Sequence, residues 1–107
     1  MASNLEFVQF ACDQMGAEVS YRRMFGEYGL YFQGKYFACV CDNQLFIKVT
    51  QAGKDLLGAF QLAPPYPGAS LYLLITQLED RELLSQLTNA TCRELPEPKP
   101  KKKKPRA

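Results

Sequence analysis

The sequence predicts an α+β fold, a two-layer sandwich in which helices pack on one face of an antiparallel sheet. The first observation is a run of aromatic and β-branched residues that is interrupted only by two short turn signals. The run divides into residues 28–32, 35–41 and 44–49, and such segments joined by two-residue turns predict a three-stranded antiparallel meander. The second observation is that stretches with apolar residues at helical spacing lie on both sides of this meander.

The first helix is predicted over residues 3–15. Ser3 and Glu6 have the spacing of a capping box, in which two side chains satisfy free backbone N–H groups at a helix start. Gly16 follows directly, where a left-handed C-terminal cap is usual. Residues 18–24 then alternate as a strand that leads into the meander.

Turn dipeptides fix the register of the meander and therefore its two faces. The dipeptide Gln33-Gly34 places Leu30 opposite Phe37 and Tyr28 opposite Cys39, whereas the dipeptide Asp42-Asn43 places Cys39 opposite Phe46. Alternation then gives a mainly aliphatic face that should receive the helices: Gly29, Tyr31, Tyr36, Ala38, Val40, Leu45, Ile47 and Val49. The other face mixes aromatic residues with lysines: Tyr28, Leu30, Phe32, Lys35, Phe37, Cys39, Cys41, Phe46 and Lys48.

The rest of the folded part alternates between helix and strand. Thr50 is predicted to cap a second helix over residues 51–60, and the proline- and glycine-rich residues 61–70 are predicted to form a loop. Residues 71–75 are predicted to form a strand that lies centrally in the sheet or is covered on both faces. The last helix is predicted to begin at Asp80 and to end at Pro96.

Charge divides the chain into a folded domain, residues 1–95, and a basic Lys/Pro tail, residues 96–107, which is predicted to be disordered. The domain has seven Lys/Arg against ten Asp/Glu, a balance of −3, and the tail has six Lys/Arg against one Glu, a balance of +5. A negative domain is a poor surface for phosphate groups. No secretory signal and no membrane-spanning run is evident, so we expect a cytoplasmic protein without a membrane partner.

The sequence offers no catalytic constellation, and we expect a non-enzymatic protein that uses no cofactor. It has no histidine, which is the usual general base and the commonest metal ligand. It also has no glycine-rich phosphate loop. The four cysteines do not predict a zinc site, because Cys39 and Cys41 face away from the helices that carry Cys12 and Cys92. Free buried thiols are the favoured interpretation, and a redox role for Cys39 and Cys41 is the alternative.

The segment from Arg22 to Tyr31, RRMFGEYGLY, and its continuation to Thr50 resemble the TfoX/Sxy N-terminal domain. The resemblance extends over residues 4–95 through the later motifs AGKDLL and PPYPGAS. It implies a stand-alone member with helices on one side of an antiparallel sheet, often dimeric. It also implies a role in transcriptional control of competence for DNA uptake, through protein contacts with a DNA-bound activator. It brings no catalytic residues.

We therefore expect a protein-interaction domain that forms a homodimer or binds a regulatory partner through apolar side chains on the sheet face opposite the helices: Leu30, Phe32, Phe37 and Phe46. Arg22 and Arg23 point to opposite faces, so we expect one to be solvated and the other to pair with a carboxylate such as Glu27 or Glu18. Anion binding by Arg22 and Arg23 is the alternative. The alternative function is that of a nucleic-acid accessory protein with a weak, non-specific tether in the tail: Lys101, Lys102, Lys103, Lys104 and Arg106. A small-ligand pocket between the sheet and residues 61–70 is a third hypothesis.

Overall fold

The computed structural model describes residues 4–16, 18–24 and 27–95, which form three helices and one six-stranded antiparallel sheet. In chain order the elements are α1 (Leu5–Met15), β1 (Val19–Met24), β2 (Glu27–Phe32), β3 (Lys35–Cys41), β4 (Gln44–Ile47), α2 (Gln51–Leu57), β5 (Gln61–Ala63), β6 (Tyr72–Ile75) and α3 (Arg81–Glu94). The strand order β1-β2-β3-β4-β6-β5 contains the predicted meander and confirms the α+β fold.

Each helix begins at a side chain that accepts a hydrogen bond from the first turn. The Asn4 side chain accepts from the N–H of Glu6, Thr50 accepts from the N–H of Gly53, and Asp80 accepts from the N–H of Leu83. The predicted caps of α2 and α3 are confirmed. The cap of α1 is Asn4 rather than Ser3, and Ser3 lies outside the described residues.

Both predicted two-residue turns are present. Gln33 and Gly34 have φ values of 54° and 80°, and Asp42 and Asn43 have φ values of 54° and 56°. Positive φ at both central residues is the geometry that matches the twist of a tight hairpin. The second turn sets the predicted register, since Cys39 pairs with Phe46 and the N–H of Lys48 donates to the carbonyl of Phe37.

A β-bulge makes the predicted register of the first hairpin wrong beyond its first two pairs. Tyr31 pairs with Tyr36 as the turn requires, but Leu30 pairs with Ala38 and Tyr28 pairs with Val40. Phe37 is therefore an extra residue on β3 with no counterpart on β2. One inserted residue reverses the alternation of everything that follows it, because side chains in a strand alternate with a period of two.

The bulge also reverses the predicted face of β2. The main core lies between the sheet and the helices, and Leu30 and Phe37 are fully buried in it, with Phe32 packed against it. Tyr28 belongs to the same cluster, whereas Tyr31 contacts the ring of Tyr36 on the far side. The predicted faces are correct for the remainder of β3 and for β4, where aliphatic residues face the helices: Ala38, Val40, Leu45 and Ile47.

A second, smaller cluster covers the face of the sheet opposite the main core. It contains Cys39, Cys41 and Phe46, with four partly buried neighbours: Tyr36, Ala63, Tyr72 and Leu74. None of these seven residues belongs to a helix. The described part of the chain is therefore a sheet with helices on one face and only strand and loop residues on the other.

Two further predictions need correction. The helix α2 ends at Leu57 rather than at Phe60, because Gly58 takes a φ of 71° and stops the helical hydrogen-bond pattern. Residues 61–63 form the edge strand β5 instead of loop, and they pair with β6 before the first proline. β6 lies between β4 and β5, which confirms its predicted central position.

Candidate functional site

A pocket of about 890 Å³ opens on the face of the sheet that lacks helices. Residues of strands β2, β3 and β6, the turn residue Asp42 and residues 65–67 line it. Its volume falls in the range usual for ligand-binding clefts. The pocket lies between the sheet and the segment 61–70, where the sequence suggests one as its third hypothesis.

Tyrosines and thiols dominate the inner part of this pocket. The hydroxyl oxygens of Tyr36 on β3 and Tyr72 on β6 are 3.3 Å apart, within hydrogen-bond distance. Cys39 is close enough to both Tyr36 and Cys41 for its thiol to interact with their side chains. Tyr36, Cys39 and Cys41 line one side of the pocket because all three project from the same face of β3.

Burial keeps the thiols and phenols of the pocket in their neutral forms. Desolvation raises the pKa of Cys41 from its ordinary value of 9.0 to about 12, and it also raises the pKa of Cys39. Desolvation raises the pKa of Tyr36 and Tyr72 in the same way, and the hydrogen bond with Tyr72 adds to the shift of Tyr36. At neutral pH these groups can exchange hydrogen bonds with a ligand, but they supply no thiolate nucleophile.

Two carboxylates lie at one end of the pocket. Glu27 stands at the start of β2, and its Oε2 accepts a hydrogen bond of 3.1 Å from the backbone N–H of Asp42 in the second turn. The Asp42 side chain is exposed and also lines the pocket. The second hairpin turn thus brings both acidic residues to the same rim.

The predicted interaction surface does not exist as such, because three of its four residues face the helices. Leu30, Phe32 and Phe37 belong to the main core or pack against it. Phe46 alone projects from the opposite face, where it is buried in the second cluster. The β-bulge is the physical reason, since it turns β2 and the start of β3 over relative to the predicted register.

Arg22 and Arg23 do not converge on a common anion site. The Arg22 guanidinium lies 5.3 Å from the ring centre of Tyr31, and the Arg23 guanidinium lies 5.7 Å from the ring centre of Tyr28. These rings lie on opposite faces of the sheet, as the alternation of adjacent strand residues predicts. The candidate nucleic-acid tether, Lys101–Lys104 and Arg106, falls outside the described residues.

The four cysteines are free, and the sheet separates them into two pairs as predicted. Cys12 and Cys92 are part of the main core, whereas Cys39 and Cys41 belong to the second cluster. Within residues 4–16, 18–24 and 27–95, no three Cys, Asp or Glu side chains come together as a metal site would require. The alternative of a redox role is discouraged by the raised pKa of Cys39 and Cys41.

Sequence reasoning misses the tyrosines that define the pocket. Tyr66 is 56% exposed although it is a large aromatic residue, and it lies between Pro65 and Pro67. An aromatic residue fixed between two prolines in a surface loop is a recognisable signal for binding. The contributions of Tyr36 and Tyr72 have no such signal, because they depend on which strands are neighbours in the sheet.

Comparison with known protein families identifies the family of this chain. The sequence model of the TfoX N-terminal domain family matches residues 11–95 of the 107 residues. The chain belongs to this family. The match covers every strand and the two helices α2 and α3, and it confirms the resemblance seen in the sequence.

This TfoX N-terminal domain is also similar to an uncharacterized 12.7 kDa protein in the trpE 5′ region of Spirochaeta aurantia. The two chains are 36% identical over 107 residues, which covers 97% of this chain and 93% of the relative. No solved structure matches the chain. The TfoX N-terminal domain family is not a known enzyme family. None of the helices among the described residues has the length and apolar character needed to span a bilayer.

Proposed function

We propose that this TfoX N-terminal domain is a non-enzymatic protein-interaction domain and that its partner binds at the tyrosine pocket. The single observation that supports the proposal is the pocket itself, which opens on a sheet face without helical cover in the described part of the chain. Tyrosine is among the residues most enriched at the energetic centres of protein interfaces, because its ring is apolar and its hydroxyl can still form hydrogen bonds.

The chemical state of the pocket favours binding over catalysis. A nucleophilic mechanism needs an activated group, and the candidate groups here have a raised rather than a lowered pKa. The two carboxylates stand at the second turn, beside neutral phenols and thiols. A surface of this kind can recognise a ligand by shape, ring contacts and hydrogen bonds.

The family relationship supplies the class of partner in this proposal. The role implied for the family is transcriptional control through protein contacts with a DNA-bound activator, and we extend that role to this chain as a co-regulator. The pocket replaces the surface predicted around Leu30 and Phe37, since those residues are buried beneath the helices. The partner at this pocket can also be a second copy of the same chain, which would form a homodimer.

The experiment substitutes an exposed pocket residue and a matched exposed residue elsewhere. Tyr66→Ser removes the most exposed ring of the pocket, and Phe10→Ser removes a 42%-exposed ring on α1, on the other side of the sheet. Partner capture from the native host and light-scattering mass are measured for both variants and for the wild type. We expect Tyr66→Ser to weaken partner capture or dimerisation by about tenfold, as loss of an interface anchor does. We expect Phe10→Ser to behave as the wild type.

If both variants capture the partner as well as the wild type does and have the same light-scattering mass, this proposal loses its support. Thermal unfolding of each variant serves as the control for folding. Both substituted side chains are exposed, so we expect melting temperatures close to that of the wild type.

A further inference from the structure

The charged groups of the pocket have one sign. Glu27 and Asp42 are acidic, and no described residue that lines the pocket is a lysine or an arginine. The backbone N–H of Asp42 donates a hydrogen bond to Glu27 Oε2, with 3.1 Å between nitrogen and oxygen, and this bond keeps the two residues close together. The folded domain as a whole has the same sign, with seven basic against ten acidic residues up to Leu95. The electrostatic environment therefore favours a positively charged ligand.

The rings of the pocket are suited to the same kind of ligand. Three tyrosine rings line it, Tyr36, Tyr66 and Tyr72, whereas Tyr28 also lines it but has its ring in the main core. The face of an aromatic ring attracts a cation within about 6 Å of its centre, and rings grouped with carboxylates are a common way to bind ammonium and guanidinium groups. Rings on this face of the sheet already bind cations of the chain itself, since Lys48 Nζ lies 5.1 Å from the centre of Tyr36 and Arg22 lies 5.3 Å from that of Tyr31.

The neutral hydroxyl and thiol groups do not oppose a cation. Tyr36, Tyr72, Cys39 and Cys41 all have a raised pKa because burial penalises their charged forms. At neutral pH the hydroxyl and thiol groups of the pocket can accept hydrogen bonds from an ammonium or guanidinium group. An anionic ligand would meet two carboxylates, whereas the Lys48 ammonium beside the pocket already lies 5.1 Å from the centre of the Tyr36 ring.

We propose that the pocket binds the basic side chain, lysine or arginine, of an extended segment of the protein partner. The volume of about 890 Å³ exceeds what one side chain fills, so residues that flank the basic one also enter. The basic head group lies beside Glu27 and Asp42, and the rings of Tyr66 and Tyr72 contact the head group and its aliphatic stem. This inference rests on the proposed function, because it assigns the chemistry of the partner at the same pocket.

The test uses the whole chain and blocked peptides of defined charge. The probes are acetyl-Gly-Lys-Gly-amide, acetyl-Gly-Arg-Gly-amide, the norleucine peptide as a neutral counterpart of lysine, and the glutamate peptide. Binding is followed by the backbone amide resonances of Cys39, Cys41 and Tyr72. We expect saturable shifts at these amides with the lysine and arginine peptides, and none with the norleucine and glutamate peptides.

Asp42→Asn provides a matched variant, because asparagine tolerates the positive φ of 54° at this turn position and keeps the size of aspartate while removing its charge. Asp55→Asn is the control, since Asp55 is an exposed residue of α2 that is absent from the pocket lining. We expect Asp42→Asn to weaken binding of the lysine peptide by about threefold to fivefold, the scale of one exposed charge pair. We expect Asp55→Asn to leave it unchanged.

Four results would overturn this inference: equal binding of the norleucine and lysine peptides, shifts confined to amides away from the pocket, equal effects of Asp42→Asn and Asp55→Asn, or absence of binding by both basic peptides. The proposed function is judged separately, by the effect of Tyr66→Ser on partner capture or mass. If Tyr66→Ser weakens partner capture but the wild-type chain prefers the norleucine peptide, the pocket still binds a protein partner. The basic side chain is then excluded as the group that it recognises.

Discussion

Thr88 and Thr91 lie about one turn apart on the buried side of α3 and differ in what their hydroxyl groups contact. Thr88 Oγ1 donates to the carbonyl of Leu84 at 2.9 Å. Thr91 Oγ1 is buried with no hydrogen-bond partner among the described residues. A buried polar atom without a partner loses its hydration and gains nothing in return, so the two residues should respond in opposite directions to loss of the hydroxyl.

Replacement of each threonine by valine tests this difference with nearly equal side-chain shapes. We expect Thr91→Val to raise the free energy of unfolding by about 1 kcal/mol, because it removes an unsatisfied hydroxyl. We expect Thr88→Val to lower it by about 1 kcal/mol, because it removes a hydrogen bond. Urea unfolding of both variants is the measurement. A loss of the same size in both would show that the Thr91 hydroxyl has a stabilising partner.

The buried thiols predict an alkaline limit to stability. Burial raises the pKa of Cys12 to about 11 and that of Cys41 to about 12, from an ordinary value of 9.0. Below pH 9 both thiols are protonated in the folded and unfolded chains, so their contribution is fully present. Above pH 9 the unfolded chain loses these protons while the folded chain keeps them, so stability falls as the pH rises toward 11 and 12.

We therefore expect the free energy of unfolding to decline between pH 9 and pH 11, measured by urea unfolding under reducing conditions. The doubly substituted variant Cys12→Ala, Cys41→Ala lacks both thiols and should decline less steeply over the same interval. The other titrating groups are common to both proteins, which makes the difference in slope specific to the thiols. Parallel slopes would contradict the assignment.

At the scale of elements, the short helix α2 depends on contacts from outside itself. Seven residues are too few for a helix to be stable alone in water. Thr50 satisfies one N–H at its start, and the Glu94 carboxylate of α3 accepts from the N–H groups of Gln51 and Ala52 at 3.1 and 2.8 Å. A carboxylate at a helix N-terminus also interacts favourably with the helix dipole. Glu94 therefore joins the two helices.

Glu94→Ala removes both of these hydrogen bonds, and we expect it to lower the free energy of unfolding by about 1 kcal/mol, the usual cost of a lost N-terminal cap. Exchange of the amide hydrogens of α2 should accelerate with it. Glu79→Ala removes an equal charge from an exposed position outside the helices and should change stability by less than about 0.5 kcal/mol. Similar losses in the two variants would assign the effect to net charge instead of to the cap.

Another link between elements closes the C-terminal end of α3, the end at which Glu94 also lies. Lys35 Nζ, at the first hairpin turn, donates to the carbonyl oxygens of Cys92 and Leu95 at 2.8 and 3.2 Å. Carbonyl groups at the end of a helix lack partners within the helix, and a cation there is favourable. Lys35 can make this contact because β2 and the start of β3 turn toward the helices. The bulge that buries Leu30 and Phe37 thus also positions a cap for α3.

At the scale of the whole molecule, the sheet divides the described residues into a main core under the helices and a pocketed face without them. The proposed binding role uses that second face, whereas the alternative nucleic-acid role uses residues 96–107. Truncation after Leu95 separates the two. We expect the truncated chain to keep its melting temperature and its partner, measured by thermal unfolding and partner capture.

The same truncation should abolish any retention on DNA, because it removes six of the thirteen basic residues and leaves a domain with a negative balance. Retention on DNA is measured at low and at moderate salt, since an electrostatic tether weakens steeply with ionic strength. If the truncated chain keeps its fold but no longer captures the partner, the partner binds the tail. That result would contradict the pocket assignment.

Local chemistry made much of the fold predictable. Positive-φ residues at both hairpin turns, the Thr50 and Asp80 caps and the helical spacing of α1 and α3 are properties of short stretches, and each appears in the structure. The edge strand β5 was unpredictable because its three residues acquire strand geometry only by pairing with β6. Tertiary pairing outweighs local propensity in short strands.

The candidate site was predictable only in part. The proline- and glycine-rich segment 61–70 suggests a pocket wall in the sequence, whereas the exposure of Tyr66 within it is known only from the structure. The meeting of Tyr36 with Tyr72 needs the strand order, in which β6 crosses to lie beside β4. The placement of Leu30 and Phe37 needs the bulge, which has no signal in a regular alternation of apolar residues.

Residues close along the chain are enough to predict the class of fold, the turns and caps, and the contrast between a negative domain and a basic tail. The face of β2 that meets the helices, and the set of residues around the pocket, depend instead on contacts between distant parts of the chain. The single extra residue at Phe37 sets the face of β2, and the position of β6 beside β4 brings Tyr72 to the pocket. An insertion of one residue in a strand is favoured or rejected by packing across the whole sheet, and that packing depends on contacts between residues far apart in sequence.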